Sequence, residues 1–233
     1  LRTRKHRDSK PLALMARDLQ QIRRYSRVSE REAAALASPV APIVVLQQLK
    51  DPDALPLSAA IAPGQNSLGF MLPYSPLHHL LMQQLEHPIV LTSGNLSEEP
   101  QCIDNRDARE RLSGIADYFL LHDQAIVNRV DDSVVREIAD DVRCLRRGRG
   151  MAPETLPLPS GFADANGILA LGGELKNSFC LIRHGEAILS QYIGDLEDAR
   201  TFSDYEFQLQ RYHELFQHEP SVLVVDRHPE YLS

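Results

Sequence analysis

An α/β fold in two successive units is what this sequence predicts, on three observations. Short apolar, β-branched runs alternate with capped helical stretches between residues 11 and 145. The late runs at 133–138 and 142–145 follow each other as a hairpin would, so the sheet is expected to mix parallel and antiparallel pairs. Beyond a proline-rich break at 151–166 the strand pattern begins again.

Each element has a local reason. Residues 11–19 read as a short apolar strand behind a cationic opening. Ser29-Glu30-Arg31-Glu32 is a capping box: the Ser hydroxyl takes an orphan amide while Glu32 reaches back. The helix it opens ends near Ala37, because Ser38-Pro39 favours extended backbone. Residues 43–46 are a buried strand by their β-branching, 51–57 a loop, and 68–72 another strand. Pro76 stands where the first turn of a helix tolerates it. Ile89–Leu91 is a short strand that runs into Thr92-Ser93-Gly94-Asn95. Residues 104–112 read as a helix and 118–121 as a strand.

After the break, 168–171 is a strand, and 179–183 and 187–191 form a hairpin around His184-Gly185. Ser203-Asp204-Tyr205-Glu206 is a second capping box. Phe202, Tyr205, Leu209, Tyr212 and Phe216 recur at spacings of three and four, one apolar helix face read as core. Residues 222–225 are a buried strand. The chain stops about 70 residues into this second unit, short for a parallel-sheet pattern, so truncation at both ends is the expectation.

Composition narrows the function. The 233 residues are 43% hydrophobic and 24% charged, with no Trp, which suits a core of Leu, Ile, Val and Ala. No run approaches the roughly 18 apolar residues that span a bilayer, and no secretory leader is read behind Leu-Arg-Thr-Arg-Lys. Cys102, Cys144 and Cys180 are scattered and odd in number, which argues against disulfides and a Cys-based metal site and for a reducing cytoplasm. The net charge of -7 argues against a general polyanion binder. It is unevenly spread: the first 31 residues hold ten Lys and Arg against three Asp and Glu, and Arg143, Arg146, Arg147 and Arg149 form a second basic knot. Such clusters suit a focused anion site or solvated faces.

Several motifs offer chemistry. Lys5, Arg7 and Lys10 lie before a strand, and on extended backbone Lys5 and Arg7 share a face. Two such cations suit a triphosphate; they equally suit a basic edge strand that resists aggregation. Thr92-Ser93-Gly94-Asn95 follows a strand's carboxyl end, where α/β sheets bind ligands, yet it also fits an ordinary polar turn. Asp131 and Asp132 suit magnesium or a turn, and Arg146-Arg147-Gly148-Arg149-Gly150 a closing arm or a linker. Gly172-Gly173-Glu174-Leu175-Lys176-Asn177 lets amides approach phosphate, although no G-K-[ST] follows. No His or Cys constellation supports acid–base or thiol catalysis, and no metal ligand set is read.

The order of these motifs closely resembles one family. Lys5-x-Arg7-x-x-Lys10-Pro11, the Thr92 to Asn95 turn with Glu99-Pro100, Arg129-x-Asp131-Asp132-Ser133-Val134-Val135-Arg136 and Arg146-Arg147-x-Arg149-Gly150 resemble the YrdC-like domain of the HypF family of hydrogenase-maturation carbamoyltransferases. Leu171-Gly172-Gly173-Glu174-Leu175-Lys176-Asn177, Ile193-Gly194-Asp195-Leu196-Glu197 and His228-Pro229-x-Tyr231-Leu232-Ser233 resemble the start of its second, TsaD-like domain. The resemblance implies a YrdC-like twisted mixed sheet over 1–152, a linker at 153–165, and a partial actin/sugar-kinase-like α/β domain over 166–233. It implies that carbamate and ATP form carbamoyl adenylate, and that the carbamoyl group passes to the C-terminal Cys of a partner, HypE, toward a hydrogenase cyanide ligand. ATP and Mg2+ are the implied cofactors. The resemblance implies zinc in upstream fingers and a further metal in a later part of the transferase domain. It further implies that the carbamate arises from carbamoyl phosphate. By resemblance Lys5 and Arg7 act in catalysis, while Ser93, Asn95, Lys10, Ser133 and Arg149 hold the nucleotide. Gly172, Gly173, Lys176 and Asn177 form the transferase phosphate loop. A tRNA threonylcarbamoyl-adenylate synthase is the alternative, although it has no need of the motifs after the linker. A double-stranded RNA-binding module is the other, and the low basicity speaks against RNA.

Overall fold

The computed structural model describes residues 1–50, 56–96 and 99–233, so the loop expected at 51–57 falls mostly outside the described residues. Its internal contacts divide it into two units, Leu1–Gly94 with Asp132–Gly150, and Asn95–Asp131 with Met151–Ser233.

In the first unit the chain order is β1 (Ala13–Met15), α1 (Leu19–Arg23), α2 (Glu30–Ala37), β2 (Ile43–Gln47), β3 (Ser67–Met71), α3 (Pro76–Gln83) and β4 (Ile89–Leu91). After an excursion that contains α4 (Asn105–Arg111), the chain returns as β5 (Val134–Ile138) and β6 (Asp141–Arg146). The six strands form one mixed sheet in the order β4-β1-β3-β2-β5-β6. The β1–β3 and β2–β5 pairs are parallel and the other three antiparallel. Leu14, Val44, Leu46, Phe70 and Val135 are buried along it.

The capping box at Ser29 is complete: Glu32 N donates to Ser29 Oγ at 3.1 Å and Ser29 N to Glu32 at 2.9 Å. Ser75 caps α3, with Pro76 in its first turn. The strand expected over 11–19 is cut to three residues, because Asp18 accepts the Gln21 amide at 2.7 Å and starts α1 instead.

The second unit carries β7 (Thr155–Pro157), β8 (Ile168–Ala170), β9 (Cys180–Arg183), β10 (Glu186–Leu189), α5 (Ala199–Phe216) and β11 (Val222–Val224). Its sheet runs β11-β8-β9-β10-β7. His184 and Gly185 both adopt positive φ, as a two-residue hairpin turn demands. The aromatic face of α5 is core: Tyr205 and Tyr212 pack edge-on against Phe179 at 6.0 and 5.0 Å.

Four expectations change here. The stretch 153–165 is not a structureless linker: β7 pairs with β10, and Ser160–Phe162 is a 3-10 turn. α5 starts four residues before the second Ser-x-x-Glu pattern, because Asp198 takes the amides of Arg200 and Thr201. Ser203, inside the helix, instead donates to the Ala199 carbonyl. Residues 118–121 form no strand: no described strand pairs with them, and Tyr118 is 93% exposed. β11 pairs with β8, but Val222, Leu223 and Val224 are all exposed.

The C-terminus of α5 carries a buried His218 whose Nε2 faces the Ile182 carbonyl at 3.3 Å, while its Nδ1 has no partner. Burial holds its pKa below the usual 6.5. The folded state therefore binds fewer protons here than the unfolded chain, so this contribution to stability is present above the unfolded value and is lost as pH falls below it. Urea midpoints measured from pH 7.5 to 5.5 should fall, and His218→Gln should flatten that slope.

Candidate functional site

The cationic opening is folded back on itself. Residues 2–6 form turns, with Lys5 N donating to Leu1 O at 2.9 Å and Arg7 N to Arg2 O at 3.1 Å. The shared face expected of Lys5 and Arg7 on an extended segment is therefore absent, because turns rather than a strand carry them. Lys5 is 2% exposed, and its ammonium donates to the Ser93 carbonyl at 2.7 Å. A buried ammonium is strongly unfavourable unless oxygens replace its water. The Arg7 guanidinium donates to the carbonyls of Lys10, at 3.1 Å, and Pro11. Lys10 itself is exposed.

Arg2, which no sequence motif singled out, organises this loop. Its guanidinium donates to the carbonyls of Arg7 and Lys10 at 2.8 and 3.1 Å and to Ala60 at 2.6 Å. The signal that would have found it is composition alone: an Arg among Arg and Lys, with nothing to mark which cation turns inward.

Ser93 lies two residues beyond β4 in the first unit. Asn95 belongs to the second unit, where its Nδ2 donates to the Glu99 carbonyl at 2.6 Å. Ser133 and Arg149 lie together in the first unit. Ser133 is fully buried, donates to Arg149 O at 3.0 Å and accepts from Gly148 N at 2.9 Å. Arg149 spends its fork on Asp132 Oδ1 (3.1 and 2.8 Å) and on the carbonyls of Val40 and Ala41. Its guanidinium carbon also sits 3.5 Å above the Tyr74 ring. Gly150 holds φ +82, and a Cβ there would meet the Val40 backbone at 2.7 Å. The Arg149-Gly150 stretch is thus docked against residues 40–41 rather than poised as an open arm.

The same geometry tests the metal expectation. Asp132 is engaged by Arg149, and Asp131 accepts from Gln101 at 2.6 Å. A cation at Asp132 would compete with a guanidinium already bonded twice to one oxygen, so this pair does not fit a magnesium site. Among the described residues no cluster of three His, Cys, Asp or Glu side chains is set to hold a metal. Burial raises the pKa of the Cys102 thiol and lowers that of His78, so neither is primed as a nucleophile or a charged acid at neutral pH.

In the second unit the loop 172–177 is shaped by hydrogen bonds. Asn177 is buried, and its Nδ2 donates to Leu171 O and Gly173 O at 3.0 and 2.8 Å. Its Oδ1 is buried without a partner. The Asn177 side-chain amide is therefore spent on the loop's own carbonyls, and its backbone N–H donates to Gly194 O. Lys176 is exposed at φ +53, and its backbone N–H donates to Asp195 at 2.6 Å. Gly172 has φ +77, and a Cβ on it would stand 2.3 Å from Ser178 O, so its bareness is a folding requirement. Gly173 has room, its Cβ position being 3.5 Å from Asp226. A separate open cavity of about 610 Å³ is lined by Asn105, Arg106, Arg109, Leu121, His122 and Asp123, and holds none of the expected site residues.

Two outcomes follow from this geometry. Gly172→Ala should destabilise the protein by about 1–2 kcal/mol through its φ alone, whereas Gly173→Ala should leave the thermal midpoint unchanged; nucleotide binding that falls in Gly173→Ala then reports close approach of a ligand. Ser133→Ala strands the Gly148 amide and should cost about 1–3 kcal/mol in urea unfolding.

Comparison with known proteins accords with this division of motifs. Residues 1–148 match the Sua5–YciO–YrdC family, described as Telomere recombination, and 163–233 match the HypF Kae1-like domain. A carbamoyltransferase HypF of Rhodobacter capsulatus is 48% identical over 231 residues, and that of Synechocystis 45% over 233. The chain spans 30% of the length of each of these relatives. A full-length HypF solved in a phosphate- and nucleotide-bound form matches with a TM-score of 0.93 and 44% identity, over 100% of this chain and 36% of that one. HypF of T. kodakarensis matches at 0.89 and 33% identity, over 99% and 30%. A YrdC-like part followed by a Kae1-like part, each matched in sequence and together in fold, makes this chain a member of the HypF family.

Proposed function

We propose that this chain is the adenylating portion, with the beginning of the transfer portion, of a carbamoyltransferase that acts in hydrogenase maturation. One observation carries the reading. Lys5, from the K-x-R pair, and Ser93, from the S-x-N pair, are 88 residues apart in sequence, yet the lysine ammonium touches the serine carbonyl. The names of the relatives and the nucleotide held by the similar structure support it.

The chemistry sets the demand. A carbamate oxygen attacks the α-phosphorus of ATP; the bond to the β-phosphate oxygen breaks and pyrophosphate leaves. Anion meets anion, so cations and oriented donors must offset repulsion and stabilise charge in the transition state. Lys5 supplies a point charge at the Ser93 carbonyl, and Arg7, two residues on in the same loop, a planar fork. The resemblance extends this set to Asn95 and more weakly to Lys10. Ser133 and Arg149 act behind it by holding the Gly148 to Gly150 stretch. No proton transfer is required, in keeping with the unprimed Cys102 and His78. Magnesium, where it accompanies ATP, has no ligand assigned in this chain. In the second unit, Gly172, Gly173, Lys176 and Asn177 belong to a loop that serves the transfer of the carbamoyl group to the C-terminal thiol of HypE. Zinc and any transferase metal are assigned outside these residues.

Lys5→Ala and Arg7→Ala, in the complete protein, should each reduce carbamate-dependent exchange of pyrophosphate into ATP by at least about a hundredfold, as loss of one charge-stabilising donor does elsewhere. Exchange at the wild-type rate in both variants would remove the assigned role.

A further inference from the structure

The open cavity of about 610 Å³ lies within the second unit, between α4 and residues 121–123. Arg106 and Arg109 line it from the helix. They are three apart, so they share a face. Asp107 and Arg111 stand on the other side of α4, where Arg111 donates to Asp107 at 2.8 Å and to Glu99 at 2.5 Å. The facing wall is tied to the helix, because Asn105 Nδ2 donates to the His122 carbonyl at 2.6 Å. The cavity is therefore shaped by the protein's own bonds.

The two guanidinia that line it are unspent. Among the described residues neither forms an ion pair or a side-chain hydrogen bond, whereas Arg111, Arg129, Arg183 and Arg200 of the same unit all do. Asp123 lines the same cavity and pairs with neither. The helix gains nothing from this arrangement. Like charges one turn apart repel, and Arg106 stands in the first turn, where the dipole disfavours a cation. Hydration would explain a convex basic face; two forks that line a cavity suit an anion. The helix amides are not the donors here, since Asp104 already takes those of Arg106 and Asp107.

We propose that this cavity binds a phosphomonoester with a hydroxylated body, a sugar phosphate or nucleoside monophosphate, whose phosphate is held by Arg106 and Arg109. Paired forks match phosphate oxygens in direction as well as in charge. The volume falls in the range of small-ligand sites, so it accommodates a body beyond the phosphate. Asp123 decides between ligand types. Its carboxylate repels a second phosphate and accepts from a hydroxyl, which favours a monoester over a polyphosphate. Leu121 and the His122 ring offer apolar contact to the body. None of these residues belongs to the adenylation set, and the site goes beyond it.

The test is arginine modification by phenylglyoxal in the complete protein, followed residue by residue in peptide mass spectra. AMP or ribose 5-phosphate, at about ten times its half-protecting concentration, should slow modification of Arg106 and Arg109 about tenfold. Arg23, exposed on α1, should be modified at an unchanged rate. Adenosine, which lacks the phosphate, should not protect. Arg106 is exposed, so Arg106→Ala should fold. Protection of Arg109 in that variant should need about tenfold more ligand, as for a lost hydrogen bond between charged groups. Asp123→Ala should weaken protection by ribose 5-phosphate but not by inorganic phosphate. Modification of both arginines at the unliganded rate, with AMP and with ribose 5-phosphate, overturns the proposal. So does protection by adenosine as strong as by AMP, or by inorganic phosphate as strong as by either ester. Protection by a short duplex RNA alone overturns it too, and assigns the arginines to a nucleic-acid backbone.

Discussion

A lysine with 2% of its surface exposed must be surrounded by oxygen, and much of the first unit follows from supplying it. The ammonium reaches the Ser93 carbonyl only because the opening residues turn back instead of extending. That turn is held by Arg2, whose planar fork gathers carbonyls from residues 7, 8 and 10 and ties them to Ala60 and Ile61. Arginine suits the task because it stays charged and presents several donors in fixed directions. The cationic cluster is thus divided: one cation builds the loop, and one is buried by it.

Legibility in the sequence tracked how local each interaction is. The Ser29 cap, the helix start at Pro76 and the His184-Gly185 turn each depend on a few neighbouring residues, and each appears where its pattern stands. The second capping box misled for the same reason. Ser203 and Glu206 satisfy the pattern, but Asp198 reaches the amides of Arg200 and Thr201 first, and a helix once started runs through a serine without penalty beyond a back-bond. Residues 118–121 and β11 show the other limit. Apolar, β-branched composition states what a segment prefers to touch, while burial depends on neighbours that the segment does not encode.

The candidate residues could be listed from the motifs, but their geometry could not. Lys5 and Ser93 meet, as the motif order implied, but no spacing rule contains the turn that brings them together. Ser133, Arg149 and Gly172 look like ligand-binding residues in a linear motif, yet each has a structural employment: a latch on Gly148, a fork on residues 40–41, a positive φ beside Ser178. A motif records every constraint on a position, and the folding constraint is invisible until the neighbouring atoms are known. The Gly172 and Gly173 pair separates the two kinds, since only the first is crowded by backbone.

α5 is held by two kinds of interaction. Its Tyr205, Leu209, Tyr212 and Phe216 stripe meets the second sheet and accounts for the helix by apolar burial alone. Apolar burial does not account for Asp204, one residue from Tyr205 and almost as enclosed, nor for an arginine in the helix's positive first turn. A buried carboxylate left without a partner is far costlier than an apolar residue of similar size, so Asp204 needs Arg129. Ion pairs of this kind contribute little to net stability against an apolar alternative, but they penalise every register except one. Among its described residues the 95–131 segment has no strand to fix it, while Glu99 and Arg129 pair with Arg200 and Asp204 of α5.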